Sequence, residues 1–394
     1  MRYLFTTIPG ASHLLPMVPL AHAAQAAGHE VLVATSGPAL RFAAEAGLHA
    51  VAVDDGEAVK PYEELGRTIT AVAMGTAPPG TAFSDAEFIA HVGTVFGRVG
   101  ELMIDGLVDA AKGWGAQALV YPAPHVAGLL TARAVGIPAV LHGIGTPRPT
   151  FRPALDHLAP VARRLGVVEV READVEIDLS PPSLPRITQD APQRGVGTPT
   201  LAMRYCPYNG GAELPRWALQ RGPRPRVVAT LGSIPAIYGD GEVLGEIVRG
   251  TADLGVELVL TTGGARLPAL SGPLPGHVTL VDWVPLRALL QTCDAVVHHG
   301  GMGTMYAAFD AGVPQLSLTL PDDSLANARI AAGRGAGAML EMSAVTATTI
   351  AAAVEDLLGR PSYRRASREV AAEMRAMPTP AAVIGELTDR LRPR

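Results

Sequence analysis

A glycine-rich turn with two histidines stands in the second half of the chain and has the residue types of an anion site. The run from Ala295 to Val297 is typical of a buried parallel strand, and residues 298–304, His-His-Gly-Gly-Met-Gly-Thr, follow it directly. Residues 304–311 favour a helix, which Gly312 would end. Backbone N–H groups at a helix start are free, and the helix dipole favours negative charge there. The pattern predicts a phosphate site with a histidine as an additional donor, although an ordinary strand-to-helix turn would use the same glycines.

His13 is the candidate for acid–base chemistry in the first half. It follows the predicted first strand, residues 2–7, and a proline–glycine turn. An imidazole with a pKa near ~6.5 can take a proton from a hydroxyl group at neutral pH. His125 and His142 stand at strand or helix ends of the same predicted sheet edge. For all of these histidines, a structural or cleft-lining role is the alternative.

Alternating strands and helices with short links must position these groups. The alternation runs through the first half and restarts at Arg226, after a stretch at 207–225 that is rich in proline, glycine and arginine. This predicts two α/β domains, each built on a doubly wound parallel sheet. Open α/β sheets bind ligands at the carboxyl ends of their strands, where His13 and the histidine turn both lie. Residues 54–86, in contrast, have no clear period, and we expect a long irregular stretch there.

Composition excludes several classes of protein. With 394 residues, 48% hydrophobic and 18% charged, the chain is expected to form more than one globular domain. The net charge of −5 and the lack of a basic stripe argue against a nucleic-acid partner. Lys60 and Lys112 are the only lysines, so no P-loop is present, and Cys206 and Cys293 lack the spacing of a zinc site. No signal peptide or apolar run of ~20 residues is visible, which predicts a cytoplasmic protein without a membrane span.

The histidine turn resembles the donor-site motif of the two-domain (GT-B) glycosyltransferases, above all the bacterial enzymes that decorate antibiotics and other natural products. The resemblance covers nearly the whole chain and implies two Rossmann-like domains that face each other across a cleft. It makes 54–100 and 143–165 candidate walls of an acceptor pocket. The implied organisation is an acceptor-binding domain at 1–206, a linker at 207–225, a nucleotide-sugar domain at 226–377 and a last helix at 378–394 that returns to the first domain.

The resemblance also implies residues that bind the donor. His299 matches the histidine of the family pattern H-x-G-x-x-S/T, which contacts the diphosphate, and Trp283 matches the W-x-P stretch that recognises the base through the indole or the backbone at Val284. Gly232 resembles the glycine of a G-S/T pair near the diphosphate. The complete implied set is Gly232, Ser233, Trp283, Val284, His298, His299, Gly301, Met302, Gly303, Thr304, Asp322 and Asp323.

One departure from the family concerns the sugar. Asp323 matches the acidic residue of the family's D-Q-x-x-N-A stretch, whose Asp-Gln pair hydrogen-bonds sugar hydroxyls, but Ser324 stands where glutamine is common. Because serine is shorter and offers fewer donors, this departure suits a sugar with fewer hydroxyl groups, such as a deoxysugar.

The acceptor half matches the family around Gly10-Ala-Ser-His13, which resembles a G-x-x-H pattern whose histidine is the catalytic base. Ser12, His125 and His142 are weaker candidates for acceptor contacts. Many relatives carry an aspartate after the strand that matches residues 118–121, and this chain has no carboxylate there. Another acid could support His13, the histidine could act alone, or the acceptor could be a more acidic phenol.

The resemblance therefore implies an inverting transfer of a sugar from a nucleotide diphosphate donor, expected to be dTDP-linked, to a natural-product aglycone. It implies neither a metal nor a cofactor, and it is compatible with a homodimer. A sugar-nucleotide 2-epimerase of the same fold is one alternative, but it needs acid–base carboxylates at the cleft and no acceptor pocket. A non-catalytic helper of a partner transferase is the other, although such a protein would be expected to lose residues such as His299 and Asp323.

Overall fold

The computed structural model of the chain describes residues 1–73, 85–143, 151–185, 198–232, 241–263, 272–320 and 323–392. Within these ranges, none of the helices combines the length and apolar character that crossing a membrane requires.

The first half forms a parallel sheet of 7 strands in the order β3-β2-β1-β4-β5-β6-β7. Its strands are β1 (Arg2–Thr6), β2 (Glu30–Thr35), β3 (His49–Ala52), β4 (Ala118–Pro122), β5 (Ala139–His142), β6 (Val175–Asp178) and β7 (Thr200–Ala202). Its helices are α1 (Ala11–Leu14), α2 (Val18–Ala26), α3 (Pro38–Glu45), α4 (Val59–Ala73), α5 (Asp85–Trp114), α6 (Val126–Val135) and α7 (Phe151–Arg164).

The second half repeats this architecture with a parallel sheet of 6 strands in the order β10-β9-β8-β11-β12-β13. Its strands are β8 (Arg226–Thr230), β9 (Glu257–Thr261), β10 (Val278–Val281), β11 (Ala295–His298), β12 (Gln315–Thr319) and β13 (Gly337–Glu341). Its helices are α8 (Glu242–Thr251), α9 (Leu286–Leu290), α10 (Met302–Ala311), α11 (Asp323–Gly333), α12 (Ala347–Gly359), α13 (Pro361–Ala376) and α14 (Pro380–Leu391). The prediction of two doubly wound α/β sheets is confirmed.

The central strands are apolar because helices cover both faces of each sheet. Every residue of β4, β8 and β11 is buried, as expected for parallel strands that have no solvent face. The side chains of β1 alternate between two cores, since Tyr3 and Phe5 pack on one side of the sheet and Leu4 packs on the other.

The expectation of an irregular stretch at 54–86 is wrong for its first part, because α4 occupies residues 59–73; residues 74–84 lie outside the described ranges. Pro61 falls in the first turn, where a missing N–H group costs no helical hydrogen bond. Tyr62, Leu65 and Ile69 recur at helical spacing and pack on the core of the first domain. Helix α4 therefore folds on this apolar face despite its weak local signals.

The carboxyl edges of the two sheets lie towards each other. Ile69 of α4 packs against the core of the first domain and also against that of the second. Burial raises the pKa of Tyr306 in α10, and the carboxylate of Asp178, at the end of β6, acts in the same direction. The Phe42 ring of α3 and the Trp283 ring after β10 have centroids 6.3 Å apart. The interdomain contacts thus include elements that follow strand ends in both sheets.

The last helix packs on the first domain. Val383, Ile384 and Leu387 of α14 join the core that contains Tyr3 and Leu20. The Thr388 hydroxyl lies 2.8 Å from the Tyr3 hydroxyl and 3.1 Å from His29 Nε2. Helix α14 is therefore part of the N-terminal core.

Candidate active site

Several of the predicted site residues lie at the points where the strand order of each sheet reverses. In the first sheet this point lies between β1 and β4, which are followed by His13 and His125. In the second sheet it lies between β8 and β11, which are followed by Gly232 and His299. Adjacent loops diverge at such a point and leave a crevice, which is where open α/β sheets bind ligands.

His13 lies in α1 with its ring close to two aromatic side chains. The ring centroids of Tyr62 and Phe96 are each 6.3 Å from that of His13, in edge-on contacts. Burial lowers the pKa of His13 to about 4, so the imidazole is neutral at pH 7. Its Nδ1 atom is buried and, within the described residues, has no hydrogen-bond partner. This leaves Nε2 as the nitrogen that can meet a ligand.

Tyr62 reaches the edge of the His13 ring over Gly10. A Cβ on Gly10 would lie 2.2 Å from the Tyr62 hydroxyl oxygen and 3.2 Å from His13 Cδ2, the ring carbon next to Nε2. A side chain at position 10 would therefore displace Tyr62. Sequence reasoning missed this contact, because α4 lay within the stretch expected to be irregular.

His125 stands close to the place where many relatives have an aspartate. It precedes α6 and is fully buried, and its Nε2 atom lies 3.0 Å from the Thr6 hydroxyl. Burial lowers the pKa of His125 to about 3, with a smaller contribution from the charge of a protonated His13. A second imidazole therefore lies near His13. The pKa of His13 itself is lowered by burial, and no carboxylate contributes to that shift.

The weaker acceptor candidates differ in their exposure to solvent. Ser12 is exposed on α1. His142, at the end of β5, is fully buried, and burial lowers its pKa to about 4 against an opposing effect of the Gly143 backbone. The complete burial of His125 and His142 favours structural roles for both.

His299 lies between two glycines that come from the two central strands of the second sheet. A Cβ on Gly232 would lie 2.4 Å from His299 Cε1, and a Cβ on Gly301 would lie 2.3 Å from His299 Nε2. Gly232 also has a φ of +83°, which favours glycine. The two glycines therefore make room for the imidazole, at the start of a helix whose first N–H groups have no partners within the helix.

His298 has a structural position beneath the turn. Its Nδ1 accepts a hydrogen bond from the Gly300 N–H group at 3.0 Å, and its Nε2 lies 2.9 Å from Gln315 Oε1. Burial lowers the pKa of His298 to about 3, with a smaller contribution from His299. Because both ring nitrogens are engaged inside the protein, His298 is suited to shaping the turn rather than to contacting a donor.

Helix α11 braces the same turn. Asn327 Nδ2 donates to the Gly300 carbonyl at 2.9 Å. Ser324 is buried, and its hydroxyl accepts from the Leu320 N–H group at 3.0 Å. Ser324, which stands at a sugar-binding position of the family pattern, is therefore engaged with the protein's own backbone.

The rest of the predicted donor set is only partly described. Met302 is partly buried, Gly303 is exposed and Thr304 is buried in the first turn of α10. Asp323 begins α11, but its side chain lies outside the described part of the chain, as do Ser233 and Asp322.

Trp283 is held by the linker and by the first domain. Beyond its contact with Phe42, its indole lies beside Gly210, where a Cβ would be 3.6 Å from Trp283 Nε1. Val284 is buried, and its carbonyl accepts a hydrogen bond from Asn209 Nδ2 at 2.9 Å. Asn209 had no motif to mark it in the sequence.

No group of three or more His, Cys, Asp or Glu side chains that could hold a metal occurs in the described ranges. The arrangement consists of a partly buried neutral imidazole on one sheet edge and a glycine-flanked imidazole with helix N–H groups on the other. Such an arrangement can accept a proton at one side and receive negative charge at the other.

Comparisons with known proteins assign the chain to a family. A sequence profile described as the N-terminal domain of erythromycin biosynthesis protein CIII-like proteins matches residues 22–232, and the profile of their C-terminal domain matches residues 243–389. The chain belongs to the EryCIII-like glycosyltransferases. It is thus a glycosyltransferase, as its motifs predicted.

Curated relatives align with the chain over nearly the full length. Elloramycin glycosyltransferase ElmGT of Streptomyces olivaceus is 38% identical, with 98% of this chain and 97% of that protein covered. L-demethylnoviosyl transferase of Streptomyces niveus is 37% identical, with 97% and 96% covered.

Solved structures of other glycosyltransferases share the fold. The glycosyltransferase SnogD from Streptomyces nogalater is 36% identical, with a TM-score of 0.82 and 99% of both chains covered. SsfS6 of Streptomyces sp. SF2575, complexed with thymidine diphosphate, is 26% identical with a TM-score of 0.81 and 99% of both chains covered. Spinosyn rhamnosyltransferase SpnG, complexed with spinosyn aglycone, is 27% identical with a TM-score of 0.81, and the match covers 98% of this chain and 100% of that one. The GT-B fold is thereby confirmed.

Proposed function

We propose that this glycosyltransferase transfers a deoxysugar from a dTDP-sugar to a hydroxyl group of a natural-product aglycone, with inversion at the anomeric carbon and with His13 as the general base. The observation that carries the proposal is the placement of His13 and His299 at the reversal points of two sheets whose carboxyl edges lie towards each other. The thymidine diphosphate complex of SsfS6 and the aglycone complex of SpnG support the two substrate classes.

The transfer is a single displacement. Nε2 of His13 takes the proton of the acceptor hydroxyl while its oxygen forms a bond to the anomeric carbon of the donor. The bond between that carbon and the diphosphate oxygen breaks, and its electron pair leaves with the nucleoside diphosphate. One displacement from the face opposite the leaving group inverts the anomeric configuration.

The leaving diphosphate gains negative charge, which His299 and the N–H groups at the start of α10 are placed to stabilise. These donors are fixed before the reaction because Gly232 and Gly301 enclose the His299 ring and Asn327 braces Gly300. Preorganised donors lower the barrier because they need no reorganisation during the reaction. Trp283 and the backbone near Val284 would meet the nucleobase, and the transfer needs neither a metal nor a cofactor.

The lowered pKa of His13 bears on the acceptor. A base with a pKa of about 4 is unprotonated at pH 7, but it is too weak a base to remove the proton of an alkanol readily. A phenolic hydroxyl gives up its proton more readily, and the Tyr62 and Phe96 rings would suit a planar aromatic acceptor. We therefore favour a phenol-bearing aromatic aglycone.

The test is a transfer assay with dTDP-deoxysugars and aromatic aglycones, with the product anomer assigned by NMR coupling constants. His13→Ala should lower kcat by at least about 100-fold, the usual contribution of a general base, without weakening dTDP binding. His49→Ala, the same substitution at an exposed histidine outside the site, is the matched control and should retain activity. Near-wild-type turnover of His13→Ala, or a product with retained configuration, would overturn the proposal.

The two alternatives give different results in the same experiment. A 2-epimerase would release free UDP and epimerised sugar without any acceptor. A non-catalytic helper would show no dTDP binding by calorimetry. A cytoplasmic location and a homodimer remain predictions, and sedimentation of the purified protein would check the second.

A further inference from the structure

The linker between the domains makes a two-point contact with the segment that carries Trp283. The side-chain amide of Asn209 donates from Nδ2 to the Val284 carbonyl at 2.9 Å. The Leu286 N–H group donates to Asn209 Oδ1 at 3.1 Å. One planar amide therefore holds two backbone groups of the same loop, which fixes both the position and the direction of that loop.

The next linker residue lies against the indole itself. Gly210 has a φ of +91°, a conformation that favours glycine, and a Cβ there would lie 3.6 Å from Trp283 Nε1. On the first domain, Phe42 has its ring centroid 6.3 Å from that of Trp283. The linker thus positions the indole relative to a contact that comes from the other domain.

We propose that Asn209 is a positioning residue for the nucleobase end of the donor site. The inference rests on the proposed function, because it takes Trp283 and Val284 as the residues that meet the base. Asn209 need not touch the donor. It would act by holding the loop of Trp283 in the geometry that receives the base, while the diphosphate end, at His299, is held by different contacts.

Asn209→Asp provides an isosteric test. The carboxylate keeps an oxygen for the Leu286 N–H group but replaces the Nδ2 donor with a second oxygen, which would face the Val284 carbonyl. Loss of one partly buried hydrogen bond and this repulsion predict an affinity for dTDP about tenfold lower. Asn209→Ala removes both bonds and should act in the same direction.

The informative measurement is nucleoside selectivity, obtained by calorimetry with dTDP and with ADP, which share a diphosphate but differ in the base and in the 2′-hydroxyl group of the ribose. Both Asn209 variants should lose affinity for dTDP while their affinity for ADP stays within about twofold of wild type, so that the dTDP/ADP ratio falls. At saturating donor, kcat should stay within about threefold of wild type. Glu213→Gln, a change on an exposed residue of the same linker, is the matched control and should leave the ratio unchanged.

Two results would overturn the inference alone, and a third would overturn the proposed function as well. Unchanged dTDP affinity in Asn209→Asp, or equal losses for dTDP and ADP, would overturn the inference while leaving the proposed function intact. If Asn209→Ala does not fold, Asn209→Asp alone decides. Absence of dTDP binding to the wild-type protein would overturn the proposed function, and the inference with it.

Discussion

Gly10 shows how one small residue can determine the surroundings of His13, the proposed base. In the sequence it was part of a proline–glycine turn and of a family pattern. In the structure it lies directly under the Tyr62 hydroxyl, since a Cβ there would lie only 2.2 Å from that oxygen. The Tyr62 ring in turn flanks His13.

Gly10→Ala should therefore reduce transferase activity through Tyr62. The added methyl group would push the phenol aside and disturb the His13 ring, so we expect kcat to fall about 10-fold or more, as displacements near reacting groups do. Transfer assays on the purified variant would measure the loss. In a Tyr62→Ala background the same glycine change should have a much smaller effect, because its steric target is gone.

Gly66→Ala is the matched control, since a Cβ at that position of α4 meets nothing within 4 Å. Alanine there should leave activity unchanged and, if anything, stabilise the helix by about 0.5–1 kcal/mol. Equal activity losses from Gly10→Ala with Tyr62 present and in the Tyr62→Ala background would contradict the steric explanation.

At the residue scale, the sequence analysis named candidate site residues that belong to a motif. It missed residues that reach the site only because the chain folds. His13 and His299 follow strands within recognisable patterns, and the structure places both at sheet reversal points. Tyr62, Phe96 and Asn209 have no local signature, because the residues that they contact are distant in sequence.

At the scale of elements, the helices that follow the central strands were predictable because their glycine stops and apolar periods are local. Helix α10 begins at Met302 and is followed by Gly312, close to the expected bounds. Helix α4 was not predictable, because Pro61 and Gly66 obscured a short apolar stripe that is stabilised by packing on the domain cores.

We predict that α11 increases the affinity of the donor site, because its Asn327 side chain holds the glycine turn in place. Asn327→Ala removes the bond to the Gly300 carbonyl, so the glycine turn should lose its brace and bind diphosphate about 5- to 10-fold less tightly, as expected for one buried hydrogen bond. Calorimetry with dTDP and with ADP measures this, and both should weaken equally because the diphosphate is common to them. Arg329→Ala, on the exposed side of the same helix, should not change either affinity.

At the scale of the whole molecule, three buried histidines predict how stability depends on pH. Burial is the largest cause of the lowered pKa values of His125, His142 and His298, to about 3, 4 and 3 from an ordinary value of 6.5. Between pH 6.5 and those lower values the unfolded chain binds more protons than the folded one. Stability should therefore fall as pH is lowered through this window, by about 1.4 kcal/mol per pH unit for each histidine.

Urea unfolding between pH 7 and pH 4 would measure the slope. His142→Gln should flatten it, because one buried titrating group is removed, whereas His49→Gln, at an exposed position, should leave it unchanged. A midpoint that stays constant across this range would show that the three rings are not held in the neutral form.

The position of α14 has a consequence for how the protein is made. The N-terminal core includes Val383, Ile384 and Leu387, and the Thr388 hydroxyl lies 2.8 Å from that of Tyr3. The ribosome adds these residues long after the rest of the first domain has emerged. Until α14 has been synthesised, its side chains cannot cover this part of the N-terminal core, so we expect the core to stay partly exposed to solvent on the ribosome.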